Sequence, residues 1–203
     1  MIYNKGMPKI VDHQQRKELL AEAAWRVIQQ DGLDGLSVRR VADEANLSLG
    51  ALRHYFDTVD ELLAFSMRLV SQRANARIES LSFTGNARVD IEMVIHELIP
   101  LDEVRLAEAR VWLAFAGKAV SSPAIRALSL EVHEELYSGF RRSIDVLVSA
   151  QLVDAGIDVE LETKALHAFV DGLVVHCATF PERVPQEQAK RMVSYYLDGL
   201  FKS

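Results

Sequence analysis

One cysteine, five prolines and no long apolar run set the first limits on this 203-residue chain. The lone Cys177 excludes an intrachain disulfide and any zinc site built from several cysteines, and it is read as a small buried apolar residue. No stretch reaches the roughly 18 apolar residues of a membrane span, and the N-terminus lacks the charged-then-apolar order of a signal peptide. A cytoplasmic location with no membrane partner is therefore expected. Positive charge is also scarce. The 23 Lys and Arg stand against 29 Asp and Glu for a net charge of −6, which argues against coating nucleic acid by bulk attraction. Chemistry-bearing signatures are missing too: there is no His-Glu-x-x-His, no glycine-rich phosphate loop and no nucleophile elbow, and Cys177 lies in an apolar run. The chain is not expected to be an enzyme, and no cofactor or metal is implied.

What the chain has is helical periodicity. Apolar residues make up 49% and charged residues 26%, the profile of a folded protein with a substantial core. From His13 to Gln30, the residues Leu19, Leu20, Ala23, Ala24, Val27 and Ile28 recur at helical spacing until Gly32 and Gly35 end the pattern. Residues 1–11, with two lysines and no period, read as a loose arm. Val38, Val41, Ala42 and Ala45 lie three or four apart, and Leu52 and Phe56 repeat that spacing across a tight turn. Ser48 can cap the second of these helices and Asn46 suits the constrained turn. Residues 37–56 thus read as a helix-turn-helix whose second helix can lie in a DNA major groove. A further helix starts behind Thr58, with Asp60 and Glu61 in its first turn, and runs toward Leu81. Beyond it, helices are expected near 89–99, 101–120, 123–153, 160–179 and 186–201, broken by Pro100, Ser121-Ser122-Pro123, Gly156 and the Pro181 to Pro185 segment. The fold class is all-α. Residues 1–60 are expected to form the helix-turn-helix head and residues 61–203 a larger helical body.

Ser37, Val41-Ala42, Ala45, Leu47-Ser48, Gly50, Leu52, Tyr55-Phe56 and Leu62 together resemble the TetR family of bacterial transcription regulators. In the C-terminal half, Trp112-Leu-Ala-Phe115, Pro123 and Asp171-Gly-Leu173 are most similar to the branch containing the choline-responsive repressor BetI. The resemblance implies a three-helix DNA-binding head, a fourth helix leading to a body for ligand binding and dimerisation, and a dimer built on the last two helices. It also implies a repressor that binds a palindromic operator as a homodimer and is released by a small organic effector. Two positions depart from the family pattern, with Arg53 in place of the usual tyrosine and Val59 in place of a phosphate-contacting lysine. A helical adaptor or dimerisation protein that no longer reads DNA is the alternative.

The residues placed at or near the groove are Arg39, Arg40, Ser48, Leu49, Ala51, Arg53, His54 and Tyr55, with Leu52 and Phe56 as core. The first 60 residues carry eight cations against nine anions, yet Lys5, Lys9, Arg16, Lys17, Arg39, Arg40 and Arg53 can line one face. Arg53 can reach guanine O6 and N7 or only a phosphate, while the Tyr55 ring packs and its hydroxyl can meet a phosphate. In the body, the polar and aromatic residues that interrupt apolar helices are the pocket candidates. These are Trp112, Phe115, His133, Tyr137, Phe140, His167 and Asp171, with His96, Arg110 and His176 as further interruptions. His167 and Asp171 sit one turn apart and can pair. The dimer is expected from Leu161, Ala165, Ala168, Phe169, Gly172, Leu173, Val175 and Ala178, matched by Val193, Tyr196, Leu197 and Leu200.

Overall fold

Helix periodicity is met throughout: a computed structural model describes residues 9–154 and 156–201, with side chains from residue 13 onward, and the described elements are all α-helices. They are α1 (Lys9–Asp31), α2 (Val38–Glu44), α3 (Leu49–Arg53), α4 (Val59–Glu79), α5 (Ala87–Leu98), α6 (Glu103–Ala119), α7 (Pro123–Ser149), α8 (Val159–Thr179) and α9 (Gln186–Leu200). The chain divides into two compact units, Met1–Val70 and Ser71–Ser203, with the division inside α4. The expected arm lies outside the described residues as far as Pro8. Lys9, Ile10 and Val11 are already helical, because no breaker separates them from the periodic run.

In the first unit, Leu20, Ala23, Ala24 and Val27 form the buried stripe of α1, and Val41, Ala42, Leu52, Phe56, Leu62 and Leu63 close over it. Burying Leu52 alone stabilises the unit by about 2 kcal/mol. Gly32 adopts a left-handed φ of 71° and sends its N–H to the Ile28 carbonyl, ending α1. The end of α1 is then pinned to α2 by Arg40, whose guanidinium reaches Asp31 at 2.8 Å, Gln30 at 2.9 Å and Glu44 at 3.3 Å. Glu44 also accepts from Arg26 at 2.8 Å.

The body packs α5 to α9 around Ile91, Ile95, Ile99, Phe140, Ile144, Leu147, Leu166, Val170, Leu173, Val193 and Leu197. Asn86, Asp102, Ser122 and Asp158 cap α5 to α8 through their side chains, each satisfying an orphan backbone N–H of a first turn. Cys177 is buried, 5% exposed, at the inner side of α8. Val193 and Leu197 are 0% and 1% exposed within the single chain, so they belong to the body's own core and not to an outer stripe. Tyr196 is likewise turned inward: its ring stacks on Phe169 with centroids 4.5 Å apart, and its hydroxyl donates to Glu162 at 2.6 Å. The expected α9 stripe is thus corrected. Leu161, Ala165, Ala168 and Val175 face outward on α8, and Tyr195, 84% exposed, does so on α9.

The last turns of α4 are clasped to the body by Arg77, which donates to both Glu108 oxygens at 3.0 and 2.8 Å, to the Glu97 carboxylate at 3.0 Å and to the Glu97 carbonyl at 3.2 Å. Glu108 is almost sealed, with its side chain 5% exposed. Removing the guanidinium strands that carboxylate, whereas removing both charges leaves an apolar contact. Arg77→Met is expected to lower stability by about 3 kcal/mol, and Arg77→Met with Glu108→Leu to recover most of the loss. Urea unfolding followed by circular dichroism checks both, and equal losses in the two variants would deny the clasp.

Candidate nucleic-acid interface and body cleft

The turn between α2 and α3 is built from backbone chemistry. Asn46 takes a left-handed φ of 54°, and the N–H groups of Asn46 and Leu47 return to the carbonyls of Asp43 and Ala42 at 3.1 and 2.9 Å. These two bonds make a Schellman ending, which needs a residue tolerant of that φ at the position Asn46 fills. Ser37 caps α2 by accepting from the Arg40 N–H, and Ser48 caps α3 by accepting from the Ala51 N–H, both at 3.1 Å. Thr58 and Glu61 lock the next corner: the Glu61 N–H donates to Thr58 Oγ1 at 3.1 Å and the Asp57 N–H to Glu61 at 2.9 Å.

With Leu52 fully buried, the opposite side of α3 must face solvent. Arg39, Ser48, Ala51, Arg53 and His54 are exposed, and Leu49 and Tyr55 are half-buried. The regular helix stops at Arg53, so His54, Tyr55 and Phe56 follow its end instead of extending it. Five residues suffice because Phe56 immediately turns inward, 3% exposed, against Phe65 with ring centroids 5.4 Å apart. Lys17 lies over both rings, 5.3 Å from Phe56 and 5.7 Å from Phe65, in cation–π geometry. Arg40 is half-buried in its network with Gln30, Asp31 and Glu44, which engages each of its three guanidinium nitrogens with α1 or α2.

In the body, α7 and α8 leave a cleft of about 380 Å³ lined by His133, Glu134 and Tyr137 from α7 and Glu160, Lys164, His167, Ala168 and Asp171 from α8. Four of the expected pocket residues, His133, Tyr137, His167 and Asp171, meet there. Phe140 stands behind them, 3% exposed, its ring 5.1 Å from that of His167. Phe115 is sealed in the core at 2%, and Trp112 is half-buried against the α5–α9 core, so neither lines the cleft. Their large rings go where most apolar area can be removed from water.

His133 stacks on His167 with centroids 4.5 Å apart. His167 Nε2 approaches Asp171 Oδ2 only to 3.6 Å, too long for a hydrogen bond. Burial, aided by the neighbouring His133, pushes His167 down to about 4, so its ring is neutral at pH 7 and makes no ion pair. Burial pushes the Asp171 carboxyl up to about 6. Lys164 is bound to Glu160 at 2.7 Å, and Glu134 and Asp171 add two further carboxylates to the lining.

Residues 20–64 match the family described as "Bacterial regulatory proteins, tetR family", and residues 87–202 match "BetI-type transcriptional repressor, C-terminal". The chain belongs to the TetR family of bacterial transcriptional regulators. It is 37% identical over 195 residues to the transcriptional regulator PksA of Bacillus subtilis, covering 96% of this chain and 94% of PksA. To BetI 2 of Chromohalobacter salexigens it is 28% identical over 198 residues, covering 96% and 92% of the two chains. A transcriptional regulator from Rhodococcus sp. Rha1 has a similar structure, with a TM-score of 0.81 at 30% identity, covering 91% of this chain and 95% of that one.

Glu134, Glu160 and Lys164 escaped sequence reasoning, and Ala168, expected on the dimer stripe, lines the cleft. Glu160, Lys164, His167, Ala168 and Asp171 recur every three or four residues on α8, so a common face was readable, but charged residues on such a face ordinarily mean solvated surface.

The two displaced groups in the cleft act on stability in opposite directions. Asp171 ionises more readily unfolded, from an ordinary 3.8, so its contribution is full below that value and lost as pH rises through about 6. His167 protonates more readily unfolded, from an ordinary 6.5, so its contribution is full above that value and lost as pH falls through about 4. Asp171→Asn is therefore expected to leave a protein whose stability falls on acidification across this window, and His167→Gln one whose stability falls on alkalinisation. Urea midpoints measured through that range check the pair, and variants that simply parallel the parent would show neither group to be displaced.

Proposed function

We propose that this TetR-family protein is a repressor that binds a palindromic operator as a homodimer and is released by a small organic effector held in the α7–α8 cleft. The observation that carries the reading is the outward side of α3. A capped helix, fixed by the buried Leu52, presents Gly50, Ala51 and Arg53 to solvent, with the half-buried Leu49 at the edge of that face and Arg39 and Tyr55 beside it. Such a helix can enter a major groove, and a two-fold partner places a second one about 34 Å away or at a multiple of that distance. Family membership supports this assignment. Arg40 serves here to hold α2 on α1, while Arg39 and Arg53 are exposed cations beside α3 that can meet DNA.

The partner is a second copy seated on the outward face of α8 and α9. Leu161 at 64% and Val175 at 36% exposure flank the small residues Ala165, Ala168 and Gly172, over which a second backbone can approach closely. On this reading the body sits with the BetI-type repressors, supported by the match over residues 87–202, while PksA stands as a relative outside that name. The effector is an organic cation: the carboxylates of Glu134 and Asp171 line the cleft, Lys164 is occupied by Glu160, and Tyr137 offers a ring face. It must prefer the arrangement in which the heads no longer match the operator, because equal affinity for both arrangements shifts nothing.

Arg53→Ala tests base reading. If the guanidinium contacts a guanine, affinity for the selected operator falls by about tenfold or more while affinity for scrambled DNA falls far less. Equal proportional losses in a gel shift would make Arg53 a phosphate anchor, and no retardation of any duplex would favour the adaptor reading. For the effector, a panel of choline, tetramethylammonium and polyamines is titrated against the operator complex. Asp171→Asn is expected to raise the concentration needed for release on the order of tenfold, and release unchanged by the substitution would remove the cleft from the mechanism.

A further inference from the structure

The first helix carries an imidazole that belongs to no other part of the structure. His13 is exposed on α1, and its ring lies 4.8 Å from the ring of Tyr55 and 6.3 Å from that of His54, while His54 and Tyr55 meet edge to face at 5.4 Å. Three rings, two of them titratable, thus gather at the end of α3. The position lies ahead of the segment that matches the family's DNA-binding region, which begins at residue 20. Nothing buried requires the cluster: His13 and His54 are exposed and Tyr55 is half-buried, so packing alone gives two imidazoles little reason to sit together in water.

We propose that His13 is part of the DNA-binding surface, supplying from α1 a contact to a backbone phosphate that is made only by the protonated ring. The inference rests on the DNA-binding reading of the head. Tyr55 is the bridge, because its ring supports His13 on one side and His54 on another while its hydroxyl can meet a phosphate. Imidazole changes charge in the range where DNA binding is measured, and a phosphate beside it favours the charged form. The charged groups around the cluster leave that contact available. On α1, Arg16 and Lys17 follow one turn later, with Lys17 held over Phe56 and Phe65. On α3, Arg53 precedes His54, and toward α4 the chain carries the carboxylates Asp57 and Glu61, the latter accepting from the Asp57 N–H. Binding then takes up a proton, and operator affinity rises as pH falls.

The test uses the full-length protein and an operator duplex that it has selected from a random pool. Affinity and its salt dependence are measured at about pH 8 and about pH 6. The parent is expected to bind about three- to tenfold more tightly at the lower pH, with a salt slope steeper by about one. His13→Gln is expected to lose that rise, and His13→Lys to bind tightly at both pH values. His13→Gln titrating like the parent would overturn the proposal, as would loss of the rise in His54→Gln alone, which would assign the proton to the recognition helix. No selected duplex at either pH would overturn the DNA reading itself, and this proposal with it. A packing role for His13 would change the circular dichroism melt of His13→Gln, whereas a phosphate contact leaves it unmoved.

Discussion

Two helices of seven and five residues cannot stand alone in water, because nucleation costs more than so few hydrogen bonds return. The head therefore depends on one constraint, the seating of Leu52 and its neighbours on α1. The Schellman turn at Asn46 and the caps from Ser37 and Ser48 satisfy the backbone groups that such short helices leave open. Once Leu52 is fully buried, the direction of Gly50, Ala51 and Arg53 is settled, since a rigid helix that buries one side displays the other. The same logic makes Arg40 a structural cation. Its three partners hold the angle between α1 and α2, on which the display of α3 depends.

The body treats its polar groups in two ways. Arg77 meets two carboxylates with most of its donors, and Arg88 joins Asp198 while Ser194 bonds Glu92, so charge there is neutralised by geometry. In the α7–α8 cleft two polar groups are displaced by burial and not paired by geometry. His167 is held neutral, Asp171 is held near the point where it ionises, and the two do not hydrogen-bond. A structural polar group is usually satisfied, and it is the displacement of these groups beside an open cleft that supports the proposed effector site.

The parts of the fold legible in the sequence were those governed by neighbours along the chain. Asn46, Ser48, Thr58 with Glu61, Gly32 and Pro123 act on backbone within a few residues, and each stands where local chemistry placed it. Four of the seven pocket candidates converge on the cleft because polar and aromatic interruptions of an apolar helix mark a change of environment. Periodicity was less informative where two faces competed. On α9, the spacing of Val193 and Leu197 reads as an outer stripe for the dimer, and the packing of α5 and α8 against them makes them core. Phe115 and Phe140 looked like pocket walls, since a sequence does not say whether a buried ring has a cavity beside it.

By itself, the sequence determined that this chain is helical, where its helices begin and end to within a few residues, and that a helix-turn-helix precedes a larger body. Those properties follow from caps, breakers and spacing, which are short-range. The tertiary structure alone decided that Arg40 turns to α1, that Arg77 closes on Glu97 and Glu108, that Glu134 and Asp171 share a cleft, and that His13 joins Tyr55 across helices. Each of these pairs residues from different helices, and which faces meet is settled by the burial of many apolar side chains at once, a sum that no local pattern contains.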